Sequence, residues 1–450
     1  MAQNVGNAGI TPRIGFVAMS LPGFLLGEEM TPAKSAECIQ ALKDRGYEIL
    51  EAECVYSQED AKRIGKTFSK EDVDCICVLL TTFIADYFIT ELVKTCDKPV
   101  FLWALEREVH CLATVCTPLI AVSLKNLKKD CCVVSGDVDD DFVYEKLFSY
   151  SRAAMLKNRL RDTVIGYIGH KPSIMFSMES DEYLLDNNFG VTVKPIPIED
   201  FYNAAEKIDP ILTEKTWAQI RCKVGCSNVR EEDAWESVKF YLAAKQIVTE
   251  HGLAGFSINC FPHLKARICL AVALLNDDGI GAGCEGDLNS TILMVIATML
   301  NGQAPFNGDF LRTYRETNSI MFSHCGAGAF SLAGCKNDIC LKRSAETDNG
   351  LAVFYVTDPR GPVTMLNMVL GKGNMRITSL FGEGVQDDSG YEGTPLRVKF
   401  AGDIKDMPDQ VAQRGAGHHW VGIHGDWTEV FRLLARMNTL DYEQLKPIKA

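Results

Sequence analysis

The stretch DCICVLL (residues 74–80) is apolar at every position after its aspartate, which is typical of a strand buried on both faces. A helical pattern, ADYFITELVKTC (85–96), follows it, and a second apolar strand, KPVFLWAL (98–105), comes after a Lys-Pro turn. The same alternation begins earlier, with RIGFVAM (13–19) before AKSAECIQALKDRGYE (33–48). Apolar strands that alternate with helices predict a parallel, doubly wound sheet.

The alternation of strands and helices restarts at DTVIGYIGHKPSIMFSM (162–178) and continues through helical patterns at 235–252 and 266–279. After about residue 340, short β-like runs are separated by Gly, Pro, Asp and Asn, which is typical of an antiparallel sheet or small barrel. We therefore predict an α/β protein with two Rossmann-like doubly wound α/β domains and a C-terminal antiparallel β-barrel-like domain. The predicted domains are 1–160 (N-terminal α/β), 161–338 (central α/β) and 339–450 (C-terminal, β-rich).

Composition excludes several classes of protein. The chain has 450 residues and a net charge of −13, which argues against a nucleic-acid or anionic-membrane surface. No GxGxxG follows the first strand, so a dinucleotide site is weakly supported. There is no signal-peptide pattern and no uncharged apolar run long enough to span a membrane. The 17 cysteines form no CxxC and lie mostly in apolar runs, which predicts free thiols in a reducing cytoplasm.

Two carboxylates precede a strongly apolar helical run in GAGCEGDLNS (281–290). Asp287 stands directly before the helix, where an N-cap is its natural role. Glu285 lies outside the cap and has no such structural role, although taken alone it is more often a surface acid. Glu285 is therefore the first candidate for a chemical role.

Three further segments carry residues suited to a cation site: PFNGDFL with Asp309, SIMFSHCGAG with His324, and GAGHHWVGIHGD with His418, His419 and His424. Alone, Asp309 is more often a turn residue and His324 more often a core histidine. Adjacent residues on a strand point to opposite faces, so at most one histidine of the pair faces a site. Two carboxylates and an imidazole together suit a divalent cation such as Mn²⁺.

The chain resembles the L-fucose isomerase / L-arabinose isomerase family. The resemblance is strong over about 255–430 and weaker but consistent in the N-terminal segments. It is carried by these stretches: INCFPHLKARICLAVALLNDDGIGAGCEGDLNSTILMVIATMLNGQAPFNGDF, SHCGAG, GPVTMLNMVLGKGNMRITSLFGEG and GHHWVGIHGDW.

The resemblance implies a Mn²⁺ site, with other divalent cations possible, whose ligands are Glu285, Asp309 and His419. It also implies that Glu285 and Asp309 act as the catalytic acid and base. In the arabinose branch a further histidine binds the metal, at the position of His324 here; the NGD motif around Asp309 is closer to the fucose type. His324 and His418 are additional candidates for metal or substrate binding.

The activity implied is the interconversion of an aldose and a ketose through a cis-enediol, on a free or C6-modified sugar such as fucose, arabinose or sulfoquinovose. A metal-dependent aldolase or epimerase that uses the same enediolate is the main alternative. A non-catalytic sugar-binding protein is another alternative, since the N-terminal segments alone would permit it. The resemblance also implies a homo-oligomer, a trimer or hexamer. The cysteines predict a cytoplasmic location, and the net charge predicts no nucleic-acid or membrane partner.

Overall fold

The computed structural model describes residues 9–24, 27–107, 112–343 and 350–448. The chain divides into two compact units, Met1–Arg159 and Leu160–Ala450. The predicted division into three domains stays a prediction.

The first unit is a parallel sheet covered by helices. Its strands are β1 (Arg13–Met19), β2 (Glu48–Glu51), β3 (Cys75–Leu80), β4 (Val100–Ala104) and β5 (Cys131–Ser135). Its helices are α1 (Thr31–Asp44), α2 (Gln58–Lys70), α3 (Asp86–Thr95), α4 (Ala113–Asn126) and α5 (Asp141–Arg159). The strand order is β2-β1-β3-β4-β5 and every pairing is parallel. Each residue of β3 is buried, as its apolar sequence predicts.

The second unit contains the remaining elements. Its strands are β6 (Val164–Ile168), β7 (Thr192–Ile196), β8 (Cys226–Asn228), β9 (Gly255–Ile258), β10 (Gly281–Cys284), β11 (Phe306–Tyr314), β12 (Ser319–Ser323), β13 (Cys340–Lys342), β14 (Ala352–Phe354), β15 (Pro362–Gly371), β16 (Asn374–Val385), β17 (Leu396–Lys399), β18 (His419–His424) and β19 (Asp441–Gln444). Its helices are α6 (Glu182–Phe189), α7 (Ile198–Glu206), α8 (Pro210–Arg221), α9 (Glu231–His251), α10 (Cys269–Asp277), α11 (Leu288–Asn301), α12 (Met407–Arg414) and α13 (Thr428–Met437).

The strands of the second unit form three sheets. The first has the order β10-β9-β6-β7 and is parallel throughout. The second has the order β15-β18-β11-β12-β17-β16-β19, and β15 also pairs with β16. The third is β14-β13-β8. The prediction of a mixed α/β protein with parallel sheets is confirmed; the Rossmann-like and barrel-like descriptions stay predictions.

The seven-stranded sheet differs from the prediction in two respects. It was expected to be antiparallel, but β19 pairs with β16 in parallel, so the sheet is mixed. It also takes β11 and β12 from the part of the chain before residue 339. The sequence of β19, DYEQ, has no apolar alternation, which is why the pattern did not reveal it.

The prediction of free thiols throughout is wrong for two cysteines. Cys226 and Cys340 form a disulfide across a separation of 114 residues. They are register partners in the parallel pairing of β8 with β13. That pairing brings their side chains together, and β8 has only three residues, so no sequence pattern indicated it. Within the described residues, no helix has the length and apolarity needed to cross a bilayer.

Candidate metal centre and active site

The register of the seven-stranded sheet brings two predicted site residues together. Asp309 on β11 is the direct partner of His419 on β18. On its other side, Asp309 is paired with Ser323, the last residue of β12, and His324 follows at once. Directly opposed residues of an antiparallel pair project from the same face of a sheet. Asp309 and His419 therefore share a face, although they are far apart in sequence.

Glu285 reaches the same place from the parallel sheet, at the carboxyl end of β10. Its backbone is left-handed, with φ of 58°, which is uncommon for a residue with a side chain. Gly286 follows with φ of 61°, and a Cβ there would lie 2.7 Å from the Cα of Lys171. The turn therefore requires a glycine after Glu285. The side chain of Glu285 is only 12% exposed.

Four of the predicted site side chains lie close together: those of Glu285, Asp309, His324 and His419. The Nε2 atom of His419 lies 3.5 Å from Oε2 of Glu285 and 3.7 Å from Oδ1 of Asp309. The same nitrogen lies 3.2 Å from Nε2 of His324. His324 in turn lies 3.8 Å from Oε1 of Glu285. His324 and His419 are both buried.

Asp287 has two roles at once. Its Oδ1 accepts a hydrogen bond of 3.0 Å from the backbone N–H of Ser290, so it caps α11 as predicted. Its Oδ2 lies 2.8 Å from Nδ1 of His419. A carboxylate accepts but does not donate, so this contact assigns the Nδ1 proton to His419 and leaves the lone pair on Nε2. The helix cap therefore also orients the imidazole of His419.

The contact between Asp287 and His419 shifts the pKa of both groups. Burial acts to raise the pKa of Asp287, but the hydrogen bonds from His419 and Ser290 outweigh it and lower the pKa below its ordinary value. Burial acts to lower the pKa of His419, but the hydrogen bond to Asp287 and its negative charge raise it. The hydrogen bond between Asp287 and His419 thus offsets the unfavourable burial of both groups.

The arrangement of donors fits a divalent cation. Oδ1 of Asp309 is buried and has no hydrogen-bond partner among the described residues, so it is an acceptor without a donor. An octahedral cation with bonds of about 2.1 Å places neighbouring ligand atoms about 3 Å apart. The contacts of His419 with Glu285 and Asp309, at 3.5 and 3.7 Å, are close to that spacing and too long for good hydrogen bonds.

Three groups within the described residues bring potential ligand atoms within 4.8 Å of one another: Asp309 with His324 and His419, Glu285 with His418 and His419, and Glu285 with His324 and Cys325. Of the histidine pair, His419 is buried at the start of β18 and His418 is exposed just before the strand. Both offer a ligand atom to one group with Glu285, so the expectation that at most one of them faces the site is wrong. His424 belongs to none of the three groups, and burial lowers the pKa of its imidazole to about 4.

Sequence reasoning missed two features of this site. It assigned Asp287 to the helix cap, whereas the structure shows that this carboxylate also contacts His419. It also passed over Cys325, whose Sγ lies 3.2 Å from Nδ1 of His324. The position of Cys325 next to His324 in the SHCGAG stretch was the available signal.

Comparison with known proteins places the chain among isomerases. No protein-family model matches it. It is 22% identical over 401 residues to the sulfoquinovose isomerase of Priestia aryabhattai, covering 86% of this chain and 89% of that protein. It is 24% identical over 390 residues to the sulfoquinovose isomerase of Alkalicoccus urumqiensis, covering 83% and 86%. A shorter match, 24% over 189 residues, links 39% of the chain to 38% of the L-arabinose isomerase of Nocardioides sp..

The matches to the two sulfoquinovose isomerases cover most of the chain, and all three relatives are isomerases. The protein is an isomerase enzyme, and the relatives support a sugar aldose–ketose isomerase. The alternative of a non-catalytic sugar-binding protein is therefore wrong. The resemblance to fucose isomerases in particular stays a prediction.

Proposed function

We propose that the protein interconverts an aldose and its ketose through a cis-enediol at the centre formed by Glu285, Asp309 and His419. The observation that carries the proposal is the convergence of two carboxylates on Nε2 of one buried histidine, at 3.5 and 3.7 Å. Carboxylates that flank a reacting carbon are suited to proton transfer as base and acid. The similarity to isomerases over most of the chain supports the same reaction class.

The residues proposed to hold the cation are Glu285, Asp309 and His419, with His324 and His418 as additional candidates. Mn²⁺ is the proposed ion, and other divalent cations with the same preference for oxygen and imidazole would fit. When bound, the ion would act as a Lewis acid towards the negative charge that develops on the sugar oxygens.

The proton transfers are assigned to the two carboxylates. One removes the proton from C2 of the aldose while the other protonates O1, which gives the cis-enediol. The second carboxylate then removes the proton of O2 while the first returns its proton to C1, which gives the ketose. Oε2 of Glu285 and Oδ1 of Asp309 are the atoms that face His419. Within the described residues, Oδ1 of Asp309 accepts no hydrogen bond, so its lone pairs are available to accept a proton.

Asp287 is proposed to act as a positioning residue. It holds the proton of His419 on Nδ1, which directs the Nε2 lone pair towards Glu285 and Asp309. Because the same carboxylate caps α11, the imidazole is tied to the start of a buried helix. Such outer contacts are what keep a ligand in one tautomer and one orientation.

The proposed substrate is a C6-modified aldose, because the relatives that cover most of the chain are sulfoquinovose isomerases. A screen of aldoses that differ at C6, supplemented with Mn²⁺, tests this. Turnover of an aldose without a C6 modification, such as arabinose, in preference to every C6-modified sugar would contradict it. Product analysis by NMR in the same screen identifies an aldolase, which shortens the carbon chain, or an epimerase.

The decisive experiment is Glu285→Gln. We expect kcat to fall by about 10²–10⁴-fold, because this is the typical contribution of a general base. The matched control is Glu214→Gln, on the exposed surface of α8, which should retain full activity. Near-normal turnover by a folded Glu285→Gln enzyme would refute the assignment. In D₂O, an enediol route should place solvent deuterium on carbon, whereas full retention of hydrogen would show a hydride shift.

A homo-oligomer, a trimer or hexamer, remains part of the proposal and rests on the family resemblance alone. The proposed cytoplasmic location rests on the cysteine content. Sedimentation equilibrium tests the assembly, since a particle with the mass of one chain, 49.7 kDa, would contradict it.

A further inference from the structure

A sulfur ligand lies beside the oxygen-rich centre. Cys325 Sγ is 3.2 Å from Nδ1 of His324, and Glu285, His324 and Cys325 offer one ligand atom each within 4.8 Å of one another. The thiol of Cys284 is a further neighbour, with Sγ 3.9 Å from both ring nitrogens of His324. No part of the proposed isomerase reaction uses these sulfur atoms.

The donor set differs from that of the isomerase centre in its chemical preference. Carboxylate and imidazole ligands suit Mn²⁺, whereas a set that includes a thiolate selects Zn²⁺ or softer ions. Zinc bonds of about 2.3 Å to sulfur and 2.0–2.1 Å to nitrogen put the two ligand atoms about 3.5 Å apart in a tetrahedron. The observed spacing of 3.2 Å between Cys325 Sγ and His324 Nδ1 is close to this value.

The backbone holds Cys325 in this position. The next residue, Gly326, has φ of 107°, and a Cβ there would lie 2.6 Å from Cβ of Ala352. Gly326 also accepts a hydrogen bond of 2.9 Å from the N–H of Val353, next to Ala352 on β14. The turn after β12 is thus fixed against a neighbouring strand, which holds the backbone of Cys325 next to His324.

We propose that Glu285, His324 and Cys325 form a second cation position, of the zinc type, that overlaps the isomerase centre. The fourth ligand of a tetrahedral ion would be water or Cys284. Because the two positions share Glu285 and His324, an ion at the second position competes with the ion of the isomerase centre for these side chains. This consequence rests on the proposed isomerase function, whereas the binding of the ion does not.

Cobalt(II) tests the binding position directly, because a thiolate ligand gives Co²⁺ an intense near-ultraviolet charge-transfer band. The metal-free enzyme titrated with Co²⁺ should show this band, and Cys325→Ser should lose it. The control is Cys222→Ser, an exposed cysteine at the end of α8, which should keep the band. An undiminished band in Cys325→Ser would overturn the proposal, as would the absence of any band in the parent enzyme.

Zinc inhibition tests the overlap with the isomerase centre. With Mn²⁺ held constant, Zn²⁺ should inhibit the parent enzyme and Cys222→Ser equally, and Cys325→Ser should need at least tenfold more Zn²⁺ for half-inhibition. Equal inhibition of Cys325→Ser and the parent would overturn the overlap. If no sugar is turned over, the isomerase proposal fails, and the cobalt band still decides whether the second position exists.

Discussion

The double role of Asp287 yields a prediction that separates helix capping from the support of His419. One oxygen of Asp287 accepts from the Ser290 N–H at 3.0 Å, and the other accepts from Nδ1 of His419 at 2.8 Å. Asp287→Asn keeps the shape of the side chain but turns one acceptor into a donor. Asparagine is as good an N-cap as aspartate, so its oxygen can remain with Ser290. Its NH₂ group then faces His419.

That exchange should reverse the tautomer of His419. With a donor at Nδ1, the ring carries its proton on Nε2, the atom that faces Glu285 and Asp309. A cation then has no lone pair on this ring. Loss of such an outer contact typically weakens metal affinity by 10–100-fold, or about 1.4–2.7 kcal/mol. The free energy of unfolding should change by less than about 1 kcal/mol from the capping interaction, because the cap persists.

The assay is Mn²⁺ affinity by calorimetry, together with urea unfolding of the metal-free protein. The matched control is Ser290→Ala, which removes the 2.6 Å hydrogen bond from the Ser290 hydroxyl to Asp287 but leaves the contact with His419. Its Mn²⁺ affinity should stay within about threefold of the parent. If Asp287→Asn binds Mn²⁺ as tightly as the parent, or if Ser290→Ala weakens binding equally, the argument from the tautomer is wrong.

Two further predictions concern folding stability and are measured by urea unfolding. Gly286→Ala should lower the free energy of unfolding by more than about 2 kcal/mol, because φ is 61° and the new Cβ would lie 2.7 Å from Cα of Lys171. Gly279→Ala is the control: φ is 82° and the space around it is open, so the loss should be only about 1 kcal/mol. Equal losses in the two variants would contradict the argument from the close approach at Gly286. Burial lowers the pKa of His424 to about 4, below the value of about 6.5 expected in the unfolded chain. The contribution of His424 to the free energy of unfolding is therefore fully present above pH 6.5. It is lost, by about 1 kcal/mol per pH unit, as the pH falls towards 4. His424→Gln should flatten the dependence in that interval, and an unchanged slope would show that other groups cause it.

The sequence was most informative where one local pattern determines one element. The apolar run of β3 and the patterns of α3 and β4 predicted a parallel sheet, because strands buried on both faces must be apolar throughout. Asp287 was predicted as a cap because a carboxylate before an apolar helix has an obvious local role. Glu285 became a candidate by elimination, since the same motif gave it no local role.

Features that depend on long-range register could not be predicted in this way. The contact of Asp287 with His419 joins residues 132 positions apart, and it depends on α11 packing against β18. The pairing of Asp309 with His419 depends on β11 lying beside β18, although strands β12 to β17 lie between them in the chain. Neither contact leaves a trace in local periodicity. The family resemblance supplied the grouping of Glu285, Asp309 and His419, and the residues alone supported only the type of chemistry.

The ligand side chains of the proposed metal centre are fixed by different parts of the fold. Asp309 and His419 are fixed by strand register, whereas Glu285 is fixed by a left-handed turn at the end of a different sheet. Asp287 joins the two sheets, because it begins α11 after β10 and also contacts His419 on β18. A shift of either sheet would therefore break the cap or the imidazole contact, so the stability of the fold and the geometry of the centre depend on the same carboxylate.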